Sequence, residues 1–135
     1  MIDPRRLADQ HLIAEYNEIL MIFGYVSKYP KLGIISTKYT LGKGHMIFFK
    51  NKLKYLKKRH ELIKREMKIR GFNATKTINL AKFDKILIRD WWASEEDIKI
   101  IKERLITKIN SKPRFYRYYG KIMSKKFLID LINTQ

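Results

Sequence analysis

The 135-residue chain contains no cysteine, which excludes disulfide frameworks, zinc fingers and iron–sulfur clusters. No apolar run approaches the roughly 18 residues of a membrane-spanning helix, and no signal peptide opens the sequence. We therefore expect a cytoplasmic protein without membrane association, or one in the DNA compartment of a host cell if it is viral.

Acidic residues are scarce as well. Thirteen Asp and Glu stand against 30 Lys and Arg, which gives a net charge of +17. A charge this large destabilises a compact state by self-repulsion unless a polyanion is bound. Nucleic acid is the first candidate for that partner and an anionic membrane surface is the second. An AT-rich genome would explain many lysines but not the shortage of acids.

Apolar residues make up 45% of the chain, and the length suits one modest core. We predict an all-α fold, in which residues 1–135 form a single compact domain of three main helices with long loops. Residues 122–135 form an additional tail that could fold as a short fourth helix, packed on the body or in a dimer contact. The first predicted helix runs from Asp3-Pro4 or Leu7 to Phe23, with Gly24 as the stop. The second has a core stripe from Met46 to Met67 and is closed by Gly71 after Arg70. The third runs from the capping box Ser94–Asp97 to a point before Pro113.

The first predicted helix is amphipathic. Residues such as Leu12, Tyr16 and Ile19 recur at helical spacing and are expected to face the core. A neighbouring stripe carries His11 and Glu18 with the small Ala14 between them, because seven residues fall roughly 20° short of two full turns. This spacing predicts a shallow groove with an imidazole at one end and a carboxylate at the other. A solvated surface pair is the alternative.

Two other stretches carry candidate binding residues. In residues 115–121, FYRYYGK, four aromatic side chains alternate with cations, a composition suited to unstacked bases and phosphates. A hydrophobic turn that closes the core is the alternative. Gly42-Lys43-Gly44-His45 could form a nest of backbone N–H groups for an anion, although a lone Gly-x-Gly is a weak signal. His11 and Glu15 are four residues apart, but no third metal ligand lies nearby in the sequence.

Three stretches in this order resemble the pyrimidine-dimer DNA glycosylase family, of the phage endonuclease V type. They are LADQHLIAEYNEI (residues 7–19), LGKGHMIFF (41–49) continuing to RGFN (70–73), and PRFYRYYGK (113–121). The resemblance implies a DNA repair enzyme with glycosylase and AP-lyase activities on pyrimidine dimers. It implies a monomer that acts on double-stranded DNA with UV lesions and uses neither a metal nor an organic cofactor.

The family's mechanism implies particular site residues. The α-amino group of Met1 would attack C1′ of the damaged nucleotide, with Glu18 as the catalytic carboxylate and His11 beside it. An α-amine has a pKa of about 7.7–8.0, against about 10.4 for lysine, so it is more often neutral near pH 7. The predicted DNA-binding residues are Gln10, Lys43, His45, Arg104, Lys108, Tyr116, Arg117, Tyr118, Tyr119 and Lys121.

The sequence departs from the family pattern at several positions. Asn17 and Met21 replace arginines, Phe115 replaces a tryptophan, and the N-terminus is shorter. We expect Met1 to be retained, because Ile2 is too bulky for methionine aminopeptidase. A helix from Pro4 would leave Met1 about 20 Å from Glu18, so catalysis requires residues 1–6 to double back over the groove. The alternative is that a few residues are missing upstream, through a wrong start codon or processing. The alternatives are a non-catalytic DNA-binding protein with the same fold, and a basic membrane-surface or RNA-binding protein.

Overall fold

Helix α1 (Asp9–Lys28) carries the apolar stripe that its sequence predicts. Leu12, Tyr16 and Ile19 are all buried along it. In the computed structural model, which describes residues 1–35, 37–41 and 44–134, this stripe packs mainly against α3 (Leu53–Ile69). The hydrophobic core is therefore centred between these two helices.

The prediction of an all-α fold is confirmed. Besides α1 and α3, the structure contains α2 (His45–Phe49), α4 (Glu95–Ser111), the short strands β1 (Arg117–Tyr118) and β2 (Lys121–Ile122), and α5 (Lys125–Asn133). Single 3₁₀ turns lie at Pro4–Arg6, Leu80–Lys82 and Lys85–Leu87. Within the described ranges, no helix is long and apolar enough to cross a bilayer.

The prediction that Gly24 ends the first helix is wrong, because α1 continues to Lys28. One glycine inside a helix costs only about 1 kcal/mol relative to alanine. Val26, in the following turn, is completely buried in the core. Packing of this last turn outweighs the poor helix propensity of one glycine.

The second predicted helix is in fact two helices, because α2 ends at Phe49 and α3 begins at Leu53. The Lys52 ammonium donates a 2.8 Å hydrogen bond to the carbonyl of Phe48, which provides a partner where the helical hydrogen bonding stops. Phe49 and Leu53 are both buried on the two sides of the break. The spacing of apolar residues therefore continues across the break between α2 and α3, and the sequence pattern does not reveal the break.

The N-terminal segment, residues 1–8, folds back instead of extending the axis of α1. Asp3 caps the 3₁₀ turn Pro4–Arg6, and Leu7 and Ala8 are extended before α1 begins. Ile2 is buried in the core, and its carbonyl accepts a 2.7 Å hydrogen bond from Arg59 of α3. Residues 1–8 therefore lie back against the middle of α1.

In the C-terminal part of the chain, α4 and α5 form where the sequence predicts helices. Helix α4 begins with the predicted capping box of Ser94 and Asp97 and ends before Pro113. Ser124 caps α5, which buries Leu128 and Ile132 and contacts α4 and the 3₁₀ turn Pro4–Arg6. The tail thus forms a helix that packs on the body of the molecule.

A tight turn joins β1 and β2, a hairpin that the sequence analysis did not predict. Tyr119 and Gly120 form it with φ angles of 52° and 80°, the left-handed conformation that two-residue hairpins favour. The buried carboxylate of Asp9 accepts hydrogen bonds from the backbone N–H groups of Tyr119 (3.1 Å) and Gly120 (2.8 Å). The first residue of α1 therefore holds the hairpin in place.

Arg70, just after α3, joins the hairpin support to the N-terminal segment. Its fully buried guanidinium contacts Asp9 at 2.9 Å and Glu66 at 2.8 Å, and it donates a 2.7 Å hydrogen bond to the carbonyl of Leu7. Tyr119 donates a hydrogen bond of 2.9 Å to the same Glu66. One cation thus fixes the positions of three segments that are distant in sequence.

Two aromatic side chains outside α1 complete the core. His60 is buried and stacks on Tyr16, with ring centroids 4.7 Å apart. Of the two adjacent indoles, Trp91 packs edge-on against Phe49, whereas Trp92 is exposed.

Candidate active site

A cavity of about 350 Å³ opens along the side of α1 that carries His11, Ala14 and Glu18. The predicted groove is therefore one wall of a deeper site. The N-terminal segment and helices α1 to α4 all contribute to the lining, and its polar members are Met1, His11, Glu15, Glu18, Tyr39, His45, Tyr55, Arg59, Arg104 and Lys108.

Glu18 and His45 form a close charged pair in this lining. The Nε2 atom of His45 lies 2.5 Å from Oε1 of Glu18, and the Glu18 side chain is 49% exposed toward the opening. The hydrogen bond from His45 lowers the pKa of Glu18, against the opposing effect of burial. Burial lowers the pKa of His45, but the hydrogen bond and charge of Glu18 outweigh it and the net shift is upward. Both groups are therefore favoured in their charged forms.

His11 lies deeper and is a neutral imidazole near pH 7. Burial, with a smaller effect from the charge of Lys108, lowers its pKa to about 4. The ring packs against Tyr116 with centroids 4.5 Å apart, and neither ring nitrogen has a hydrogen-bond partner among the described residues. The imidazole therefore contributes no cation to the site, and both of its nitrogens are buried.

Met1 lines the same cavity, and its amino group is partly buried. Partial burial lowers its pKa below the ordinary 8.0, and the neighbouring charge of Arg59 lowers it further, while Glu15 acts in the opposite direction. Arg59 and Glu15 form an ion pair of 2.5 Å beneath the N-terminal segment. The amine therefore has a larger neutral, nucleophilic fraction near pH 7 than an exposed α-amine.

Helix α4 gives the cavity a basic edge. Arg104 and Lys108 are exposed, and both line the opening that Glu18 faces. Neither side chain forms an ion pair or a hydrogen bond with another residue in the described part of the chain. Two cations four residues apart on one helix face suit consecutive phosphates of a polyanion.

The aromatic segment lies beside His11 and divides into buried and exposed rings. Tyr116 is buried beneath His11, and Tyr118 is half-buried with its hydroxyl bonded to the carbonyl of Arg5. Phe115 and Tyr119 expose nearly half of their surface, and Arg117 and Lys121 are exposed. Tyr116 therefore packs in the core, as the alternative of a hydrophobic turn predicts. The exposed aromatic and basic side chains of the segment are of the types that bind nucleic acid.

Gln10 connects this segment to α1. Its amide Nε2 donates a 2.8 Å hydrogen bond to the carbonyl of Phe115, and its Oε1 accepts one of 2.9 Å from the N–H of Arg117. Both ends of the amide are therefore used within the protein. The prediction that Gln10 contacts DNA directly stays a prediction, and its visible role is to position the hairpin.

The fold brings most of the predicted residues to one side of α1. Met1, His11, Glu18, His45, Arg104 and Lys108 line one cavity, and Tyr116 contacts His11 from the adjoining segment. Gly42 and Lys43 lie outside the described residues, so the anion nest stays a prediction. His45, at the end of that stretch, contacts Glu18.

Sequence reasoning missed Glu15 and Arg59, which support the N-terminal segment, and Asp9 and Arg70, which support the hairpin. Helical spacing gave a partial signal for Glu15, since it falls on the α1 face next to the core stripe. Its partner is 44 positions away in the sequence, so no local pattern could identify the pair.

The positions that depart from the family pattern are also on this side of the molecule. Met21 is 64% exposed and lines the cavity, and Asn17 is exposed one position before Glu18. Neither can provide the charge of an arginine at the opening. The cations near Glu18 are instead Arg104 and Lys108.

A comparison with protein families gives a match that covers the whole N-terminal part of this site. The model of the family described as pyrimidine dimer DNA glycosylase matches residues 1–80 of the 135. The matched part includes the N-terminal segment and α1 to α3, and therefore Met1, His11, Glu18 and His45.

Proposed function

The chain belongs to the pyrimidine dimer DNA glycosylase family, and we propose that it excises the base through the α-amino group of Met1 and then cleaves the strand as an AP lyase. Family membership indicates DNA repair activity on pyrimidine dimers in DNA. The observation that supports the finer proposal is the meeting of Met1 and Glu18 at one cavity with a basic edge.

The first step is displacement of the damaged base. The neutral Met1 amine attacks C1′, a nitrogen–carbon bond forms, and the glycosidic bond breaks as its electron pair leaves with the base. The amine nitrogen then loses a proton as the sugar ring opens to a Schiff base. The lowered pKa of the Met1 amine favours the neutral form that this attack requires.

In this scheme Glu18 stabilises positive charge and transfers protons. Its carboxylate, kept ionised by the contact with His45, stabilises the positive charge that develops on the sugar. In the lyase step a base removes a C2′ proton, the electron pair forms a C1′–C2′ enamine that rearranges, and the 3′ phosphate leaves by β-elimination. Oε2 of Glu18 has no hydrogen bond to another described residue and is the atom we assign to proton transfer.

DNA binding is assigned to the basic edge and the hairpin. Arg104 and Lys108 flank the cavity, and Arg117 and Lys121 lie exposed on the adjoining hairpin. Phe115 and Tyr119 offer aromatic surface to a distorted duplex. For His11 we propose a hydrogen bond to the extruded sugar or base rather than to a phosphate, because its imidazole is neutral.

The experiment uses a duplex oligonucleotide with one pyrimidine dimer at a defined position, labelled at the 5′ end. Base excision with the lyase step predicts strand breaks at the dimer without further treatment. Breaks that form only after hot alkali would show a glycosylase without the lyase step. Binding without breaks under either condition would contradict the proposal and favour the non-catalytic DNA-binding alternative.

A further inference from the structure

The contact between His45 and Glu18 fixes which atoms carry protons. Nδ1 of His45 lies 3.1 Å from the carbonyl oxygen of Thr40. Because a carbonyl oxygen only accepts hydrogen bonds, Nδ1 carries a hydrogen. Nε2 lies 2.5 Å from a carboxylate oxygen, which also only accepts when ionised. A proton therefore lies between these two atoms, and the pair is an imidazolium facing a carboxylate.

The imidazole itself is held rigidly. Its side chain is only 17% exposed, and the rings of Tyr39 and Phe49 meet it edge-on with centroids 5.6 Å and 5.0 Å away. Helix α2, which carries His45, has only five residues, so its position depends on this packing rather than on helix length. Glu18, by contrast, projects half-exposed from α1 into the cavity.

We propose that His45 is a positioning residue of the active site. Through the proton that it shares with Oε1, it fixes the Glu18 carboxylate in its charged form and leaves Oε2 free for the reacting sugar. The inference rests on the proposed role of Glu18 and assigns His45 to the catalytic centre instead of to phosphate binding.

The other charges around the pair act more weakly. Arg104 and Lys108 of α4 favour the carboxylate form of Glu18 and Arg104 disfavours the imidazolium, while the phenol of Tyr39 remains neutral because burial raises its pKa. Burial disfavours the charged form of both members. Without the imidazolium of His45, Glu18 loses a positive charge and a charge-assisted hydrogen bond that oppose burial, so the carboxylate is protonated at a higher pH than in the wild type.

The test compares His45→Gln with His60→Gln. Glutamine at position 45 keeps a hydrogen-bond donor for Glu18 but cannot carry a charge or titrate. His60 is a buried histidine on α3 that stacks on Tyr16, so its variant controls for the loss of a buried imidazole. Single-turnover base release is measured from pH 4 to pH 9 on dimer-containing duplex, together with affinity for a duplex with an abasic-site analogue.

We expect His45→Gln to bind the abasic-site duplex within about two-fold of the wild type. Base release should be at least ten-fold slower. The Met1 amine and Glu18 both titrate on the acidic side of the pH profile, and the lower of these two steps, that of Glu18, should move to higher pH. His60→Gln should keep the wild-type profile even if the protein is less stable. An unchanged lower step in His45→Gln, or binding lost in parallel with base release, would overturn the inference.

A second measurement follows the histidine ring directly. NMR titration of the His45 ring in the wild type and in Glu18→Gln should show its pKa fall when the carboxylate is removed, and equal values would overturn the inference. If the wild type releases no base, the proposed function fails and the catalytic role of His45 fails with it. If the wild type is active while His45 titrates independently of Glu18, only the inference about His45 fails.

Discussion

Arg59 ties helix α3 to the start of the chain, because its Nη1 atom donates a 2.7 Å hydrogen bond to the carbonyl of Ile2. The same guanidinium contacts Glu15 at 2.5 Å and is almost fully buried. These contacts keep the N-terminal segment against the middle of α1, where Met1 meets the cavity. The position and the acidity of the amine therefore depend on Arg59, which is distant in the sequence.

Replacing Arg59 with Met should raise the pKa of the Met1 amine, because the variant loses a nearby positive charge and loosens the segment that buries the amine. The measurement is the rate of reductive methylation of the amine as a function of pH. Glu15→Gln is the matched control, and it should shift the pKa downward, since Glu15 raises it in the wild type. Shifts in the same direction for both variants would contradict this electrostatic account.

Glu18→Gln should abolish base release while affinity for an abasic-site analogue stays within a few-fold of the wild type. Glutamine preserves size and a hydrogen bond to His45 but cannot stabilise a cation or accept a proton. Single-turnover kinetics on dimer-containing duplex measure the loss. Base release within a few-fold of the wild-type rate would remove Glu18 from the mechanism.

The four exposed cations beside the site should bind phosphates. Each alanine replacement should reduce the slope of log K against log salt by about 1, and should weaken specific and non-specific binding alike. Fluorescence anisotropy at several salt concentrations measures the slope. The residues to replace are Arg104, Lys108, Arg117 and Lys121.

Two exposed lysines on the outer side of α3, Lys54 and Lys68, provide the comparison for this series. Their alanine variants should leave the salt slope unchanged. The opposite pattern, with slopes altered only in the α3 variants, would place the DNA-binding face on α3.

Arg70→Met should destabilise the protein by roughly 3–5 kcal/mol, because it leaves the buried carboxylates of Asp9 and Glu66 without their cation. Denaturant unfolding followed by circular dichroism measures the change. Lys126→Met removes an exposed ion pair with Asp130 on α5 and should leave the unfolding midpoint unchanged. Equal midpoints for the two variants would show that the Arg70 cluster does not support the fold.

Local sequence signals predicted the elements of this fold well where one helix face decides the outcome. The spacing of Leu12, Tyr16 and Ile19 identified the buried side of α1, and the capping box at Ser94 identified the start of α4. Gly24 misled the prediction, since helix propensity is a weak preference that packing of the next turn overrides.

The candidate site could be predicted only in part, for a physical reason. His11 and Glu18 share a helix face, so their proximity follows from helical geometry. The partners that set the chemistry of the site come from other elements: His45 on α2 contacts Glu18, and Arg59 on α3 lowers the pKa of the Met1 amine. Such contacts depend on how helices pack, which no spacing within one helix encodes.

The most direct test of the central claim is the identity of the amine that forms the Schiff base. Wild-type protein with an authentic Met1 terminus is incubated with dimer-containing duplex and sodium borohydride, which reduces the imine to a stable secondary amine. Protein with a reductively dimethylated N-terminus is the control and should form no adduct through Met1. Our account predicts that peptide mass spectrometry finds the sugar adduct on the Met1 peptide. An adduct on a lysine, or no adduct at all, would contradict it.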